Sequence, residues 1–333
     1  KWGGFTTVIP DTTSDGVYKI SSPDELAWFA CEVTKRNVAS VALNAKLTQS
    51  IDLQGKLFIP IAAGKGTPSY GGTFDGQGYT IKNLFIKGSE IVKAENGAED
   101  VYAQNIGLFA ALKGGTVKNV TLTNVEIYAA SSAGDAGTSG SENPISVGSV
   151  VGYVELGTID GCAASGKIET SGNSNRVGGI TGNVWEANIS NCISEVNIMA
   201  TGNDTHVGGI VGALRNKKGV ANTSIDISSC VYAGETLFSN NGAVGAIAGN
   251  YEKTGGVTVS DLYYTAEYPA VGTGLGDKPF ADTNRVANLN TENVICELNG
   301  GNWNTSNQSC SSASADGAWS EGQNNLSMNG SDG

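Results

Sequence analysis

The side chains that most often carry out catalysis are scarce in this 333-residue chain, and their spacing matches no catalytic pattern. His206 is the only histidine, so a Ser-His-Asp mechanism would have no other base to draw on. It directly precedes a Val-Gly-Gly segment, as Arg176 does one repeat earlier, which predicts a solvent-facing turn position for both. The carboxylates Asp160, Asp226 and Asp261 stand at different offsets from the repeats and predict no acid–base pair. The sequence therefore predicts no catalytic residue and a protein that is not an enzyme.

Aromatic side chains are better candidates for ligand contact, because sugar rings stack on exposed Trp and Tyr side chains. Two of them follow glycine segments at comparable positions, two cluster after the last repeat, and two mark the C-terminal tail. The binding candidates are thus Tyr153, Trp185, Tyr263, Tyr264, Trp303 and Trp319. The alternative is that these rings pack at corners of the fold.

These residues are embedded in a repeated pattern, which is the main structural signal of the chain. The pattern is an aliphatic residue, a glycine, three residues that are mostly small or aliphatic, and a further glycine, as in Val207-Gly208-Gly209-Ile210-Val211-Gly212. The leading glycines stand at positions 107, 148, 178, 208 and 245, with steps of 41, 30, 30 and 37 residues. About thirty residues with three short strands is the content of one coil of a solenoid, in which stacked neighbours bury the apolar stripe. Replacing Gly178 or Gly208 by valine is expected to destabilise the protein more than a typical surface substitution, because glycine permits close backbone approach.

A second pattern follows each glycine segment and pairs apolar residues three positions apart. Its copies are Ile81–Leu84, Val117–Val120, Ile159–Cys162, Ile189–Cys192, Ile227–Cys230 and Val259–Leu262. A three-residue step interrupts the alternation of a strand. The spacing therefore predicts a bend between the two residues, with both apolar side chains pointing inward.

The six cysteines divide into two groups. Cys162, Cys192 and Cys230 occupy a position that holds Leu or Val in other repeats, so we expect stacked, buried thiols, with a disulfide between two of them as the alternative. Cys296 and Cys310 flank a Gly/Asn-rich turn and are the candidate disulfide pair, which would suit an oxidising compartment. Cys31 is expected to stay unpaired. No Cys-x-x-Cys motif or histidine pair is present, so neither a metal site nor a cofactor is predicted.

The Val-Gly-Gly-Ile-Val-Gly units resemble the GLUG motif of bacterial surface proteins, which include adhesins and non-catalytic parts of immunoglobulin A protease-like proteins. The stretch 72–84, Gly-Thr-Phe-Asp-Gly-Gln-Gly-Tyr-Thr-Ile-Lys-Asn-Leu, is similar to what such proteins carry before their first repeat. The resemblance covers about residues 17–265. It implies an all-β fold, a right-handed parallel β-helix, and an extracytoplasmic location. It brings no shared catalytic residues.

The ends of the repeat region carry their own signals. Ser22-Pro23-Asp24-Glu25 is a helix N-terminus with a capping box, and apolar residues at helical spacing follow it. We therefore predict an N-terminal cap over residues 1–50 with a helix at about 23–36, a parallel β-helix over 51–265, and a C-terminal cap and Gly/Asn-rich tail over 266–333. A second short helix is expected within 289–299. The Ser/Gly/Ala-rich insertion 129–143 is expected to form a surface loop.

Charge and composition narrow the range of functions. Twenty Lys and Arg against 32 Asp and Glu give a net charge of −12, which argues against nucleic-acid binding. No apolar run is long enough to span a membrane. The expected function is a non-catalytic, adhesin-like module, extracellular or at the cell surface after removal of a signal peptide, that binds a glycan, matrix or partner protein. The alternatives are a subunit that assembles with copies of itself into a surface filament or layer and, third, a polysaccharide lyase or hydrolase.

Overall fold

The computed structural model shows a parallel β-helix built around one long apolar core. The structure describes residues 1–64, 68–88, 104–131, 145–215, 224–252, 256–274, 280, 283–289, 291–311, 319–321 and 326–328. Within these ranges, 23 strands form one continuous sheet whose strands pair in parallel, each with the equivalent strand one coil away. The predicted fold class is confirmed. None of the described helices is long and apolar enough to cross a membrane.

The helices are α1 (Pro23–Arg36) and α2 (Glu292–Leu298). The strands, in chain order, are β1 (Tyr18–Ile20), β2 (Ala45–Leu47), β3 (Ile51–Asp52), β4 (Thr73–Asp75), β5 (Thr80–Lys82), β6 (Phe85–Lys87), β7 (Asn105–Ile106), β8 (Phe109–Leu112), β9 (Gly115–Lys118), β10 (Thr121–Ala130), β11 (Ser146–Gly148), β12 (Val151–Asp160), β13 (Ala163–Ser171), β14 (Arg176–Gly178), β15 (Thr181–Ser190), β16 (Ile193–Gly208), β17 (Val211–Leu214), β18 (Ile225–Tyr232), β19 (Leu237–Gly245), β20 (Ala248–Tyr251), β21 (Val257–Tyr264), β22 (Val271–Gly274), β23 (Thr283–Arg285), β24 (Asn302–Asn304), β25 (Ser309–Ser311), β26 (Trp319–Glu321) and β27 (Leu326–Met328).

The glycine segments form two faces of the coil that meet at a tight corner. The first, which we call the glycine face, consists of β7, β11, β14 and the last residues of β16 and β19. The second, which we call the adjoining face, consists of β8, β17, β20, β22 and the first residues of β12 and β15. The chain therefore reverses direction within the two residues between β14 and β15, which brings the backbones of the two faces close together.

The predicted bend between paired apolar residues is present at the next corner. Ile159 and Cys162, like Ile189 and Cys192, are fully buried, so both ends of each pair point into the core. The residue between them that turns the chain adopts a left-handed conformation, for example Asn191 with φ 51°. The other residues at this corner position are Asn83, Asn119, Gly161, Ser229 and Asp261, all with positive φ. Asn, Asp and Gly tolerate this conformation better than other residues, which explains the residue types found there except Ser229.

The three cysteines of the paired apolar pattern, Cys162, Cys192 and Cys230, are free and buried, as expected from their equivalence with Leu and Val. Each Sγ lies near a backbone carbonyl oxygen of its own or the preceding coil, for example Cys192 Sγ 3.1 Å from the Ser190 oxygen. A hydrogen bond with Cys192 and burial raise the pKa of the Cys162 thiol, and burial raises that of Cys192. These side chains therefore act as small apolar residues. Cys31, in α1, is also free.

Helix α1 closes the N-terminal end of the coil, at the residues predicted from the capping box. The Ser22 side chain accepts a hydrogen bond from the backbone N–H of Glu25, and Glu25 accepts one from the Ser21 N–H at 2.7 Å. The apolar side of α1, including Leu26 and Phe29, is buried in the main core. Parallel pairing begins before residue 51, because β1 and β2 already pair with each other, and it continues past residue 265 through β22 and β23. Most of the predicted loop 129–143 and much of the tail lie outside the described residues.

The C-terminal segment packs on the outside of the last coils rather than continuing them. Cys296 in α2 and Cys310 in β25 form a disulfide bond, and β25 pairs with β24 in an antiparallel hairpin. A second apolar cluster joins this segment to the sheet; its members are Ile193, Val231, Tyr263, Leu289, Val294, Leu298 and Trp319. Helix α2 therefore covers a row of apolar side chains that would otherwise face solvent.

Candidate functional site

Two of the aromatic side chains predicted to bind ligand are in contact on the adjoining face. The rings of Tyr153 and Trp185 lie edge to face, with centroids 5.3 Å apart and an interplanar angle of 87°. Both are partly buried. They are not in equivalent positions, because Tyr153 pairs with Asn183, and the register shifts just after Val154. Trp185 lies two residues beyond Asn183 and hence diagonally across from Tyr153, where the two rings meet.

Charged residues flank the aromatic pair along the rod. On each coil one residue follows the last inward-pointing side chain of the adjoining face, and we call these residues the row: Lys113, Glu155, Trp185, Arg215 and Glu252. Trp185 is the extra residue of a bulge within the row, because Glu155 pairs with Glu186. Lys113 Nζ lies 3.4 Å from Glu155 Oε1, and Arg215 Nε lies 2.9 Å from Glu252 Oε2. Trp185 thus lies between two ion pairs. With adjacent strands about 4.8 Å apart, the row extends for about 19 Å.

A cavity of about 140 Å³ adjoins the tyrosine end of this row. The side chains of Lys113, Tyr153 and Glu155 form one wall, and two N-terminal loops form the other. The lining residues are Ala39, Ala62, Gly64, Pro68, Ser69, Asn105, Ala111, Lys113, Tyr153 and Glu155. Burial, and secondarily the charge of Glu155, raises the pKa of Tyr153, so its hydroxyl is neutral and able to donate a hydrogen bond at neutral pH.

A cluster of buried polar groups lies beyond the tryptophan, between the glycine face and the adjoining face. Arg176 and His206 are aligned on neighbouring coils, and each is only 6% exposed. Asn250 Nδ2 lies 3.1 Å from His206 Nδ1 and donates a hydrogen bond to Glu252 Oε1 at 2.7 Å. Asp204 lies 3.4 Å from His206 Nε2 and 4.0 Å from the Arg176 guanidinium. The cluster thus connects the buried strand backbone with the exposed charged row.

The solvent-facing turn position predicted for Arg176 and His206 is wrong, because both residues lie in strands and are buried. His206 belongs to β16, and its side chain points into the gap between the two faces, where the adjoining face covers it. Burial, and then the charge of Arg176, lowers the pKa of His206 to about 4. The imidazole is therefore neutral at neutral pH.

A model of the GLUG motif matches residues 143–169. The chain carries the GLUG motif. The match covers β11, β12 and most of β13, and hence includes Tyr153 and the Ile159–Cys162 corner. The parallel pairing of these strands with β14, β15 and β16 shows that the following coil has the same arrangement of strands.

The likeness to a solved structure concerns the whole fold. The chain is similar to a candidate immunoglobulin A1 protease from Bacteroides ovatus, with a TM-score of 0.54 and 17% sequence identity, over 97% of this chain and 95% of that chain. At this level of identity the likeness shows the fold alone. No curated protein matches the chain.

The other aromatic candidates are placed differently from the Tyr153–Trp185 pair. Tyr263, Tyr264 and Trp319 are only 2%, 8% and 2% exposed, so their rings are not available for stacking on a ligand. Tyr263 and Trp319 instead hold the C-terminal segment against the coils, and the Tyr263 hydroxyl donates to Glu297 of α2. Trp303 is partly buried on β24, away from the GLUG repeats. Of the six predicted residues, the structure brings only Tyr153 and Trp185 together on one GLUG face.

The sequence analysis missed the polar neighbours of that pair, although their positions relative to the glycines of the repeat are a signal for them. Asn183 and Asn250 directly follow the last glycine of their units, as Tyr153 does. Arg176 and His206 directly precede the Val-Gly pair. If each repeat had been interpreted as two strands that face each other, the position after the last glycine would have been placed opposite the position before the Val-Gly pair.

A second depression, of about 590 Å³, lies at the corner of the N-terminal coils. Its polar side chains satisfy one another: Asn83 Nδ2 donates to Asp52 Oδ1 at 2.7 Å, and Asn124 Nδ2 donates to Asn83 Oδ1 at 2.6 Å. This row holds successive coils together and leaves little hydrogen-bonding capacity for a ligand. Within the described ranges, no group of three or more His, Cys, Asp or Glu side chains is placed to hold a metal ion.

Proposed function

We propose that this protein is a non-catalytic, extracellular β-helix module that binds a glycan along the adjoining face. The observation that carries the proposal is the Tyr153–Trp185 pair, which lies beside a cavity and between two ion pairs. A sugar ring offers an apolar face of C–H groups and an edge of hydroxyls. An aromatic ring next to carboxylates, amides and cations offers contacts for both.

The shape of the site favours an extended ligand. The row from Lys113 to Glu252 follows the axis of the rod and is open to solvent along its length, with Lys113, Arg215 and Glu252 about 40% exposed at their side chains. A linear oligosaccharide would therefore run across successive coils, and each coil would contribute one contact position.

Two further features support an extracellular module. The Cys296–Cys310 disulfide suits an oxidising compartment, and the GLUG motif is expected in bacterial surface proteins. His206, the single histidine of the sequence, is buried against Asn250. Asp160 and Asp226 pair with Ser190 and Asn188, respectively, and so lie in separate rows, which gives no support to a catalytic carboxylate pair.

Assembly into a filament receives less support. Stacking end to end requires an open terminal coil, and here α1 covers the first coil with its apolar side chains. We therefore place a binding module ahead of a self-assembling subunit.

The test is a glycan array with the purified protein, followed by calorimetric titration of the ligands that bind. Trp185→Ala should weaken binding about tenfold or more, which corresponds to about 1.4 kcal/mol. Trp303→Ala, which removes a partly buried tryptophan away from the face, is the matched control and should bind as the wild type does. Binding that survives Trp185→Ala, or an array on which nothing binds, would refute the proposal. Release of new sugar reducing ends would refute its non-catalytic part.

A further inference from the structure

The polar cluster beside Trp185 contains buried atoms that have no hydrogen-bond partner. Among the described residues these include Arg176 Nε, Asn183 Oδ1 and Asn250 Oδ1. The three side chains are 6%, 8% and 4% exposed. A buried polar atom without a partner is destabilising by about 1–3 kcal/mol, so each one calls for an explanation, and a ligand that pairs with it is one such explanation.

The register places these atoms in one small region. Asn183, Ala213 and Asn250 are aligned on successive coils of the adjoining face, with the short side chain of Ala213 between the two amides. Arg176 lies beside His206 on the opposing glycine face, and His206 contacts Asn250. The region is continuous with the Trp185 row through Glu252, which accepts hydrogen bonds from both Asn250 and Arg215.

The exposed Arg215–Glu252 pair covers this region. Glu252 bonds inward to Asn250 and outward to Arg215, whose side chain is 37% exposed. Exposed ion pairs contribute little to stability and are weakened by salt. A ligand could therefore reach the buried atoms by displacing this ion pair at a small cost in free energy.

The hydrogen-bonding capacity of the three atoms determines which groups a ligand must carry to pair with them. Two are carbonyl oxygens, which need a donor, and one is an N–H, which needs an acceptor. A carboxylate can only accept and an ammonium can only donate, whereas a hydroxyl does both. The charges around them are balanced, since Arg176 faces Asp204 and Arg215 faces Glu252.

We propose that Arg176, Asn183 and Asn250 form a subsite for one neutral, hydroxyl-bearing sugar residue, which makes the protein selective for neutral over acidic oligosaccharides. The inference rests on the proposed glycan-binding function and deepens it. The hydroxyls of the sugar would donate to the two amide oxygens and accept from Arg176 Nε once the Arg215–Glu252 pair has moved aside.

The experiment compares neutral hexose oligosaccharides with oligogalacturonates by calorimetric titration, using the wild type and three variants. The wild type should bind at least one neutral oligosaccharide about tenfold more tightly than any oligogalacturonate. Asn250→Ala should weaken the neutral ligand up to about tenfold, because one hydrogen bond is lost. Asn183→Ala should weaken it to a similar extent, because it removes the other amide oxygen of the subsite. Asn188→Ala, an exposed asparagine of the same strand β15 on another face, is the matched control and should change nothing.

The outcomes separate the two proposals. Tight oligogalacturonate binding, or neutral binding that depends on Trp185 but is unchanged in Asn250→Ala, would overturn the subsite while leaving the glycan-binding face intact. Binding of no oligosaccharide would overturn both. If Asn250→Ala fails to fold, nitrogen-15 NMR of the wild type replaces it: the Asn250 side-chain amide signals should shift on adding the neutral oligosaccharide, and unchanged signals at saturation would refute the subsite.

Discussion

Adding a single methyl group at Gly178 should destabilise the β-helix strongly, because the glycine face and the adjoining face are in backbone contact there. A Cβ on Gly178 would lie 2.6 Å from the Gly212 nitrogen and 2.8 Å from the Ile210 oxygen, and it would be closer still to the Thr181 oxygen. All three are backbone atoms, so no side chain can rotate away to relieve the overlap.

The magnitude follows from what must move. Overpacking of this kind is destabilising by about 1–3 kcal/mol. Separating the strands would also weaken the two hydrogen bonds that the N–H groups of Ile180 and Thr181 donate to the Ile210 oxygen, at 3.0 and 3.1 Å, each worth about 1 kcal/mol. We therefore expect Gly178→Ala to lower the unfolding free energy by about 3–5 kcal/mol. At about 2 °C per kcal/mol for a large domain, Tm should fall by about 6–10 °C.

The assay is thermal unfolding followed by circular dichroism at a fixed scan rate. Gly16→Ala is the control: Gly16 has φ +82° and nothing within 4 Å of the added carbon, so only the conformational effect of about 1–2 kcal/mol applies. Gly178→Val should be worse than Gly178→Ala. A Gly178→Ala protein that melts no lower than Gly16→Ala would show that the two faces are not in close contact.

Three further predictions follow from buried side chains. The thiols of Cys162, Cys192 and Cys230 should not react with a thiol reagent in the folded protein but should react after denaturation, because all three are fully buried; stoichiometric labelling of the native protein would contradict this. The pKa of His206 is lowered from 6.5 to about 4, so between these pH values the unfolded chain binds a proton that the folded chain does not, and stability falls as pH falls. Between pH 7 and pH 5, the unfolding free energy measured by urea denaturation should therefore fall less for His206→Gln than for the wild type. Equal decreases would refute the lowered pKa of His206. Trp319→Ala should be destabilising by about 3–5 kcal/mol and should raise hydrogen exchange in α2 but not in β14, whereas a uniform rise would show that the C-terminal segment is not held at this cluster.

The repeat could be read from the sequence because its strongest constraints are local. The three-residue step of Ile159–Cys162 requires a bend, and a residue such as Asn191 tolerates the left-handed conformation that the bend needs. The capping box at Ser22 likewise fixes the start of α1 by local hydrogen bonds. Such features depend on neighbours in the chain and not on the coil above.

The candidate site could not be read in the same way, because its geometry depends on contacts between faces. His206 looks like an ordinary polar turn residue until the opposing strand is placed over it. Tyr263 looks exposed until α2, thirty residues later, covers it. The contact of Tyr153 with Trp185 joins two neighbouring coils, and no spacing within one repeat reveals it.

The packing of the C-terminal segment also has a mechanical consequence. In a parallel β-helix the hydrogen bonds between coils lie along the axis, so tension on the two ends would open the rod one coil at a time. The apolar cluster under α2 includes Ile193, Val231 and Tyr263, which come from three successive coils, and the disulfide fastens β25 to the same helix. This segment therefore holds three successive coils together, so that they must separate as one unit under tension. The first coils to separate should be those that the segment does not contact.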